Sequence, residues 1–247
     1  MVRCASLFSQ LVALFNRVQF YQLVMKHGAE RYSKGYSSWD HFVAMLFCQL
    51  AQAKSLREIC GGLACTMGKL SHLGMKDAPK KSTLSYANTH RPWQTFRDLF
   101  YETSNMCRLA APKNRKFRFK NKLLSLDSST ISLCLNLFPW AEFRRTKGAV
   151  KLHLLLDHDG YFPSYAYISN GKKHDVTIAR KIPLPPGSIV TMDRGYNEYK
   201  LFGSWTDQGI FFVTRLKENA DYTILAWIPM LDSYTIDLRF YLSEVLS

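Results

Sequence analysis

Two short segments, each running from an apolar stretch into an aspartate, constrain the fold of this chain more than any other feature. Residues 124–130 read LSLDSST, and residues 189–196 read IVTMDRGY. Short apolar runs that end at turn-forming residues predict buried strands, so Asp127 and Asp193 would each project into a crevice at the sheet edge. Two such aspartates on neighbouring strands could hold a divalent metal through hard carboxylate oxygens. The alternative is that each is an Asx-turn or helix-cap residue, which strand-to-turn junctions also favour.

The pattern around these two segments predicts an alternation of strands and helices. Strands are expected at about 122–133, 150–156, 161–168, 188–192 and 210–216, and helices at about 175–181 and 197–206, with Asp175 capping the first helix. The turn at residues 157–160 makes the second and third strands an antiparallel hairpin. A helical crossover then places the fourth strand parallel to the first. This order puts Asp127 and Asp193 side by side at one edge of the sheet.

The first 112 residues instead predict several short helices. Ser38 is expected to cap an apolar helix over about 39–51, and Ser55 and Glu58 form a capping box before the next one. Pro92 suits the first turn of a helix that runs to about Leu109. The predicted organisation is therefore a helical domain over 1–112, a basic linker over 113–121, an α/β domain over 122–224 and an atypical tail over 225–247.

The net charge of the chain, +14, is concentrated in its first half. Residues 1–120 contain 19 Lys and Arg against 6 Asp and Glu, whereas residues 121–247 contain 14 against 13. Such asymmetry indicates a basic half that meets a polyanion, and nucleic acid is the favoured partner. A membrane surface or a merely solvated basic face are the alternatives.

The basic residues cluster most densely just before the predicted α/β domain. Six cations fall within ten residues with no acid among them: Lys113, Arg115, Lys116, Arg118, Lys120 and Lys122. Such a run suits a phosphate track, although charge runs are commonly just solvated faces. The candidate DNA contacts are the first five of these together with Lys147, Lys151 and Arg194, which lie near the predicted crevice. For the last three, exposed hairpin and loop cations are the alternative interpretation.

The remaining composition favours a cytoplasmic protein. The six cysteines show no CxxC pair or other zinc-binding spacing, so they indicate reduced, packing thiols. No run reaches the roughly 18 apolar residues of a membrane helix. Ser9 and Gln10 interrupt the apolar stretch at the N-terminus, which argues against a signal peptide.

Several blocks of sequence resemble a known family. In the second half they are LDSS at 126–129, KGAVKLH at 147–153, HD at 174–175 and DRGY at 193–196. In the first half they are RY at 31–32, WDHF at 39–42, SLRE at 55–58 and KSTL at 81–84. Together with the order of elements, these blocks resemble bacterial insertion-sequence transposases of the DDE type, in particular the group with a late Tyr-Arg-Glu-Lys signature. The resemblance covers roughly residues 5–224.

This resemblance implies both a fold and a chemistry. The fold would be an RNase H-like mixed sheet, with a three-stranded meander, parallel strands and flanking helices, preceded by a helical DNA-binding domain. The function would be DNA strand cleavage and transfer at the ends of an insertion sequence. It implies two Mg²⁺ or Mn²⁺ ions about 3.5–4 Å apart, with Asp127 bridging both, Asp193 holding one and a glutamate completing the second site. The partner would be double-stranded DNA, as terminal inverted repeats and target, and a homodimer in a synaptic complex is compatible with it.

One departure from the family concerns the third acid. The family pattern Y-x2-R-x3-E-x6-K is not found, since Tyr234, Arg239 and Glu244 stand in the right order but at the wrong spacings. We therefore expect a truncated copy that is inactive in strand transfer. Without the acid-bearing helix, either Phe211 and Val213 or Phe212 would lose its cover. Two other functions stay open: a non-catalytic DNA-binding remnant, and a metal-dependent nuclease on the same RNase H-like sheet.

Overall fold

In a computed structural model, the chain divides into two compact units, residues 1–109 and 110–247. The structure describes residues 6–31, 33–66, 70–111, 120–133, 142–144, 147–218, 223–228 and 237–241. Among these residues, no helix is both long enough and apolar enough to cross a membrane.

The first unit is helical, as predicted. Its helices are α1 (Leu7–Ala13), α2 (Arg17–His27), α3 (Ser38–Leu50), α4 (Leu56–Ala64), α5 (Leu70–Leu73), α6 (Lys81–His90) and α7 (Gln94–Ala110). Three aromatic rings from α2 and α3 form the centre of its core: Phe20 meets Trp39 edge to face at 5.3 Å between centroids, and Phe42 lies 5.4 Å from Phe20. Rings in this geometry contribute beyond the area they bury.

The capping residue of α3 differs from the prediction by one position. Ser37, not Ser38, is the cap: its hydroxyl accepts the Asp40 N–H at 3.0 Å, and the Asp40 carboxylate accepts the Ser37 N–H at 3.0 Å. The reciprocal pair needs an acceptor three residues after the cap, and Asp40 supplies it for Ser37. Ser55 caps α4 as predicted, accepting the Glu58 N–H at 3.2 Å. The reciprocal half of the predicted capping box is absent, because the Glu58 carboxylate accepts the Lys54 N–H at 2.8 Å in place of the Ser55 N–H.

The second unit has the predicted order of strands and helices, with extra strands. Its elements are β1 (Leu123–Leu133), β2 (Glu142–Arg144), β3 (Lys147–Asp157), β4 (Phe162–Asn170), α8 (Asp175–Ala179), β5 (Ile189–Met192), a 3₁₀ turn (Arg194–Tyr196), α9 (Tyr199–Asp207), β6 (Phe211–Thr214), β7 (Thr223–Ile228) and β8 (Asp237–Tyr241). The short strand β2 and the separate β7–β8 hairpin were not predicted.

The sheet is mixed, which confirms the predicted fold class. Strand β3 lies antiparallel to β1 and β4, so the three form the expected meander. Strand β5 runs parallel to β1, and β6 runs parallel to β5. The path across the sheet is β2-β3-β1-β5-β6, with β4 also paired to β3.

The two faces of this sheet have different surroundings. On one, here called the covered face, Leu124, Leu126 and Val190 are buried in a core that includes Ile178 of α8 and Phe202 of α9. Phe212 belongs to this face and stacks on the Phe202 ring at 4.3 Å.

The opposite side, here called the open face, carries the residues that alternate with these. On β6 they are Phe211 and Val213, each 58% exposed among the described residues. Of the two alternatives raised by the sequence, the residues that lack cover are therefore Phe211 and Val213, not Phe212.

Candidate active site

The two aspartates of the sequence motifs lie beside each other on the open face. Strands β1 and β5 pair in parallel up to the partners Leu126 and Met192. Asp127 follows Leu126 within β1, Asp193 follows the last residue of β5, and both are exposed. Strand β1 itself continues to Leu133 against β3, so Asp127 marks the end of the β1–β5 pairing and not the end of its strand.

Each carboxylate is anchored by the backbone that follows it. Asp127 Oδ1 accepts the N–H of Ser128 at 2.7 Å, and Asp193 Oδ1 accepts the N–H of Arg194 at 2.7 Å. Asp193 is also the N-cap of the 3₁₀ turn. The cap interpretation therefore describes how Asp193 is held, and it leaves coordination through the remaining lone pairs open.

The pKa of Asp193 is lowered from its ordinary value. The hydrogen bond from the Arg194 N–H is the main cause, and the hydrogen bond and charge of Arg215 add to it. Both groups favour the ionised carboxylate, which is the form that binds a cation.

A hydroxyl network fastens β1 to β5 next to the aspartates. Ser125 Oγ lies 2.7 Å from Thr191 Oγ1 and 2.6 Å from His158 Nε2. Ser125 and Thr191 are register partners two residues before Asp127 and Asp193, so they share the open face with them. Because this network joins the two strands, the sheet sets the spacing of the two aspartates that follow.

Tyr196, the last residue of the DRGY block, lies under the site. It is 2% exposed, and its hydroxyl is buried without a hydrogen bond of normal geometry, although Ser128 is near enough to lower its pKa. Burial is the main cause that raises the pKa of Tyr196, and the charges of Asp175, Asp127 and Asp193 raise it further. The phenol therefore lies within the electrostatic field of all three carboxylates.

Lys151 forms an ion pair with the carboxylate of Asp175 on the covered face. Its Nζ lies 3.1 and 3.2 Å from the two oxygens of Asp175, and both side chains are largely buried. Asp175 belongs to the first turn of α8 and the cap position is His174, so the prediction that Asp175 caps this helix is wrong. Asp175 is the first helical residue, one position after the cap, and its carboxylate pairs with Lys151.

His153 packs beside this pair inside the sheet. It is fully buried, its Nε2 lies 2.8 Å from Ser169 Oγ, and its Nδ1 lies 3.7 Å from Asp175 Oδ1. Burial lowers the pKa of His153. A neutral imidazole with a strand partner is a structural part of the sheet.

The other predicted DNA contacts are only partly described. Arg194 and Lys120 are exposed, and Lys147 begins β3. The residues Lys113, Arg115, Lys116 and Arg118 lie outside the described residues.

Arg215 was not among the predicted site residues. Its Nη2 lies 3.1 Å from Asp193 Oδ1, with the arginine side chain 82% exposed and the aspartate 54%. The available signal was a cation near the end of the strand predicted at 210–216. It gains meaning only once β6 is known to pair with β5 in parallel.

The donor set fits a hard divalent cation but is incomplete. Asp127 and Asp193 supply carboxylate oxygens, which Mg²⁺ and Mn²⁺ prefer. Within the described ranges no group of three His, Cys, Asp or Glu side chains is arranged to hold a metal ion. The described residues therefore supply two carboxylates of the type that such a cation prefers, without a third acid grouped with them.

The geometry agrees with the family matches. A model described as "Transposase DDE domain" matches residues 118–241, which is half of the chain, and the description "Domain of unknown function (DUF4372)" matches residues 3–76. The DDE domain family has an RNase H-like fold and generally uses divalent metal. The first match contains both aspartates, and the second covers much of the helical unit.

Individual relatives carry transposase names. The chain is 24% identical over 140 residues to a protein of Geobacillus stearothermophilus named as a transposase for insertion sequence element IS5377. It is 29% identical over 165 residues to a protein of Sinorhizobium fredii named as the transposase y4zB. These matches cover 57% and 66% of this chain but 36% and 44% of the relatives, so the chain spans less than half of their length.

A solved structure of a piggyBac transposase synaptic complex with hairpin DNA is also similar. It covers 88% of this chain and 43% of the other, with 13% identity and a TM-score of 0.36. A score this low does not establish a shared fold.

Proposed function

The chain belongs to the transposase DDE domain family, and from this premise we propose that its function is that of an insertion-sequence transposase, in which DNA strands are cleaved and joined by metal-dependent phosphoryl transfer. Asp127 and Asp193 would supply two of the acids that this reaction requires. One observation carries the proposal: the parallel register of β1 and β5 brings Asp127 and Asp193 together, exposed, on one face of the sheet. The Asx-turn interpretation gives no reason for the two aspartates to follow paired residues of neighbouring strands.

Asp127 and Asp193 would hold Mg²⁺ or Mn²⁺, with a further acid completing the family's two-metal site. Bound there, the metal would activate a water or a DNA 3′-hydroxyl and stabilise the leaving oxygen. The chain's own contribution is orientation. The Ser128 and Arg194 N–H groups fix one oxygen of each carboxylate, and the Ser125–Thr191 contact fixes the spacing of the strands.

Double-stranded DNA is the proposed partner, in the form of terminal repeats and target, with a homodimer as the synaptic assembly. The excess of Lys and Arg in residues 1–120 supports DNA contacts by the helical unit and by Lys113, Arg115, Lys116, Arg118 and Lys120. Of the three cations predicted near the acids, Arg194 directly follows Asp193. Lys147 lies seven residues along β3 from Leu154, the register partner of Asp127, and Lys151 is on the covered face. Lys151 would have to leave Asp175 to reach a phosphate, which makes Arg194 the better candidate of the three.

The test is cation and DNA binding by the 247-residue chain and its Asp127→Asn and Asp193→Asn variants. We expect Mn²⁺ affinity, measured by calorimetry, to fall at least about tenfold in either variant, because each removes a charged ligand. Binding of duplex DNA should persist in both variants and weaken steeply with added salt, because counterion release drives it. If Mn²⁺ affinity is unchanged in both variants, the aspartates are turn and cap residues and not metal ligands.

A second candidate is a DNA-binding protein without catalytic activity. It is supported by the absence of a third metal-binding acid from the described residues. Metal-dependent cleavage of terminal-repeat DNA by this chain, lost in Asp127→Asn, would exclude it. A metal-dependent nuclease on the same sheet would cleave without sequence preference for such ends.

A further inference from the structure

Three charged residues stand in one row across the ends of the parallel strands. The register partners Leu126, Met192 and Thr214 align β1, β5 and β6. The residues that follow these partners along the chain are Asp127, Asp193 and Arg215, respectively. Within the row, the guanidinium of Arg215 contacts the middle carboxylate, 3.1 Å from Asp193 Oδ1. An arginine thus occupies one side of the acid pair that the proposed function assigns to metal.

The backbone of Arg215 is held by the turn that Asp193 begins. The Asn197 side-chain amide donates to the Arg215 carbonyl at 2.7 Å, and its carbonyl oxygen accepts the Thr214 hydroxyl at 2.8 Å. Asn197 directly follows the 3₁₀ turn that Asp193 caps. One short segment therefore positions both the carboxylate and the strand end that carries the guanidinium.

The side chain of Arg215 is exposed, although its backbone is held by Asn197. Its side chain is 82% exposed, and solvent screens an ion pair at this exposure, so the pair contributes little to stability. Little free energy therefore opposes the separation of Arg215 from Asp193. A fixed backbone with an exposed, weakly paired charge suits a group that changes its partner.

A divalent cation and a guanidinium carry charge of the same sign and would compete for Asp193. We propose that Arg215 is an exchangeable counter-ion, which pairs with Asp193 when no cation is bound and contacts a DNA phosphate when a divalent cation takes its place. The inference rests on the proposed function, because it takes Asp193 as a metal ligand and DNA as the substrate. A planar guanidinium suits the second partner, since it matches phosphate oxygens with paired N–H donors.

The experiment compares the full chain with Arg215→Gln, Arg215→Lys and, as a control, Lys200→Gln. Lys200 is exposed on α9, so its substitution removes the same charge without a contact to Asp193. The hydrogen bond from the Asn197 side chain goes to the backbone carbonyl of residue 215, so it stays available in every variant. Mn²⁺ affinity is measured without DNA, and duplex DNA affinity is measured in chelator and in Mn²⁺.

We expect Arg215→Gln to bind Mn²⁺ about fivefold more tightly than the parent chain, because a competing charge has gone. Mn²⁺ should tighten DNA binding by the parent chain and by Lys200→Gln, and this gain should disappear in Arg215→Gln. Arg215→Lys, which keeps the charge, should stay close to the parent in Mn²⁺ affinity.

An Arg215→Gln variant with unchanged or weaker Mn²⁺ affinity, or with the DNA gain retained, would overturn the inference. If that happens while Mn²⁺ binding still depends on Asp193, the proposed function stands and the role of Arg215 alone is wrong. If the parent chain shows no Asp193-dependent Mn²⁺ binding, the proposed metal site and the inference both fail.

Discussion

The two faces of the sheet use the same strands for opposite purposes. On the covered face, Leu126 is buried, and Lys151 is paired with Asp175. On the open face, one residue further along the chain, Asp127 is exposed beside Asp193. Because strand side chains alternate, a single residue separates a position that stabilises the fold from one available for chemistry. Polar residues on the covered face should therefore matter for stability, and those on the open face for binding.

The largest difference between the faces should appear in a matched pair of phenylalanines. Phe202 packs against the covered face and is 1% exposed, whereas Phe211 is 58% exposed on the open face. We expect Phe202→Ala to lower the free energy of unfolding by about 3–5 kcal/mol, because it leaves a cavity and loses ring stacking. Phe211→Ala should cost about 1 kcal/mol or less.

The measurement is urea unfolding of the full chain, with amide exchange in β1 and β5 to assign the loss to the sheet unit. Equal losses for the two variants would mean that the open face is covered in solution. In that case the contrast between the faces would not hold for the isolated chain.

A smaller effect is expected from the ion pair on the covered face. Lys151→Met leaves the largely buried Asp175 carboxylate without its lysine, and we expect a loss of about 1–3 kcal/mol. The double variant Lys151→Met with Asp175→Asn should recover part of that loss, because no unpaired charge remains. A double-mutant cycle by urea unfolding measures the coupling, and strict additivity of the single variants would contradict a structural role for the pair.

The sequence predicted the positions that local pattern controls. The β1–β5 juxtaposition followed from strand order and the usual handedness of the crossover, and the structure confirms it in the register of Leu126 with Met192. The sequence could not predict Arg215 at Asp193, because that contact depends on the neighbouring strand β6 and on a side-chain conformation. Asp175 was misassigned for a different reason: a sequence pattern locates a helix start only to within a residue or two, and here His174 is the cap and Asp175 the first helical residue.

The smallest effect near neutral pH concerns Tyr196, whose buried hydroxyl makes no hydrogen bond of normal geometry. Removing an unpaired buried hydroxyl removes a desolvation cost, so Tyr196→Phe should leave stability unchanged or raise it by up to about 1 kcal/mol. At high pH the difference should grow. Burial raises the pKa of Tyr196 above its usual value of 10.0, so the folded chain holds this proton more tightly than the unfolded chain does.

The contribution of that proton to stability is complete below pH 10 and is lost as the pH rises above it, because the unfolded chain then releases the proton first. Tyr196→Phe should therefore reduce the fall in stability of the sheet unit above pH 10, with amide exchange in β5 as the readout. Tyr36→Phe is the matched control: burial also raises the pKa of Tyr36, but Tyr36 lies in the helical unit and should leave β5 unaffected. If the alkaline fall in β5 protection is the same in Tyr196→Phe as in the parent chain, the Tyr196 hydroxyl is not held neutral under the acid pair, and the covered face is more open to water there than the structure indicates.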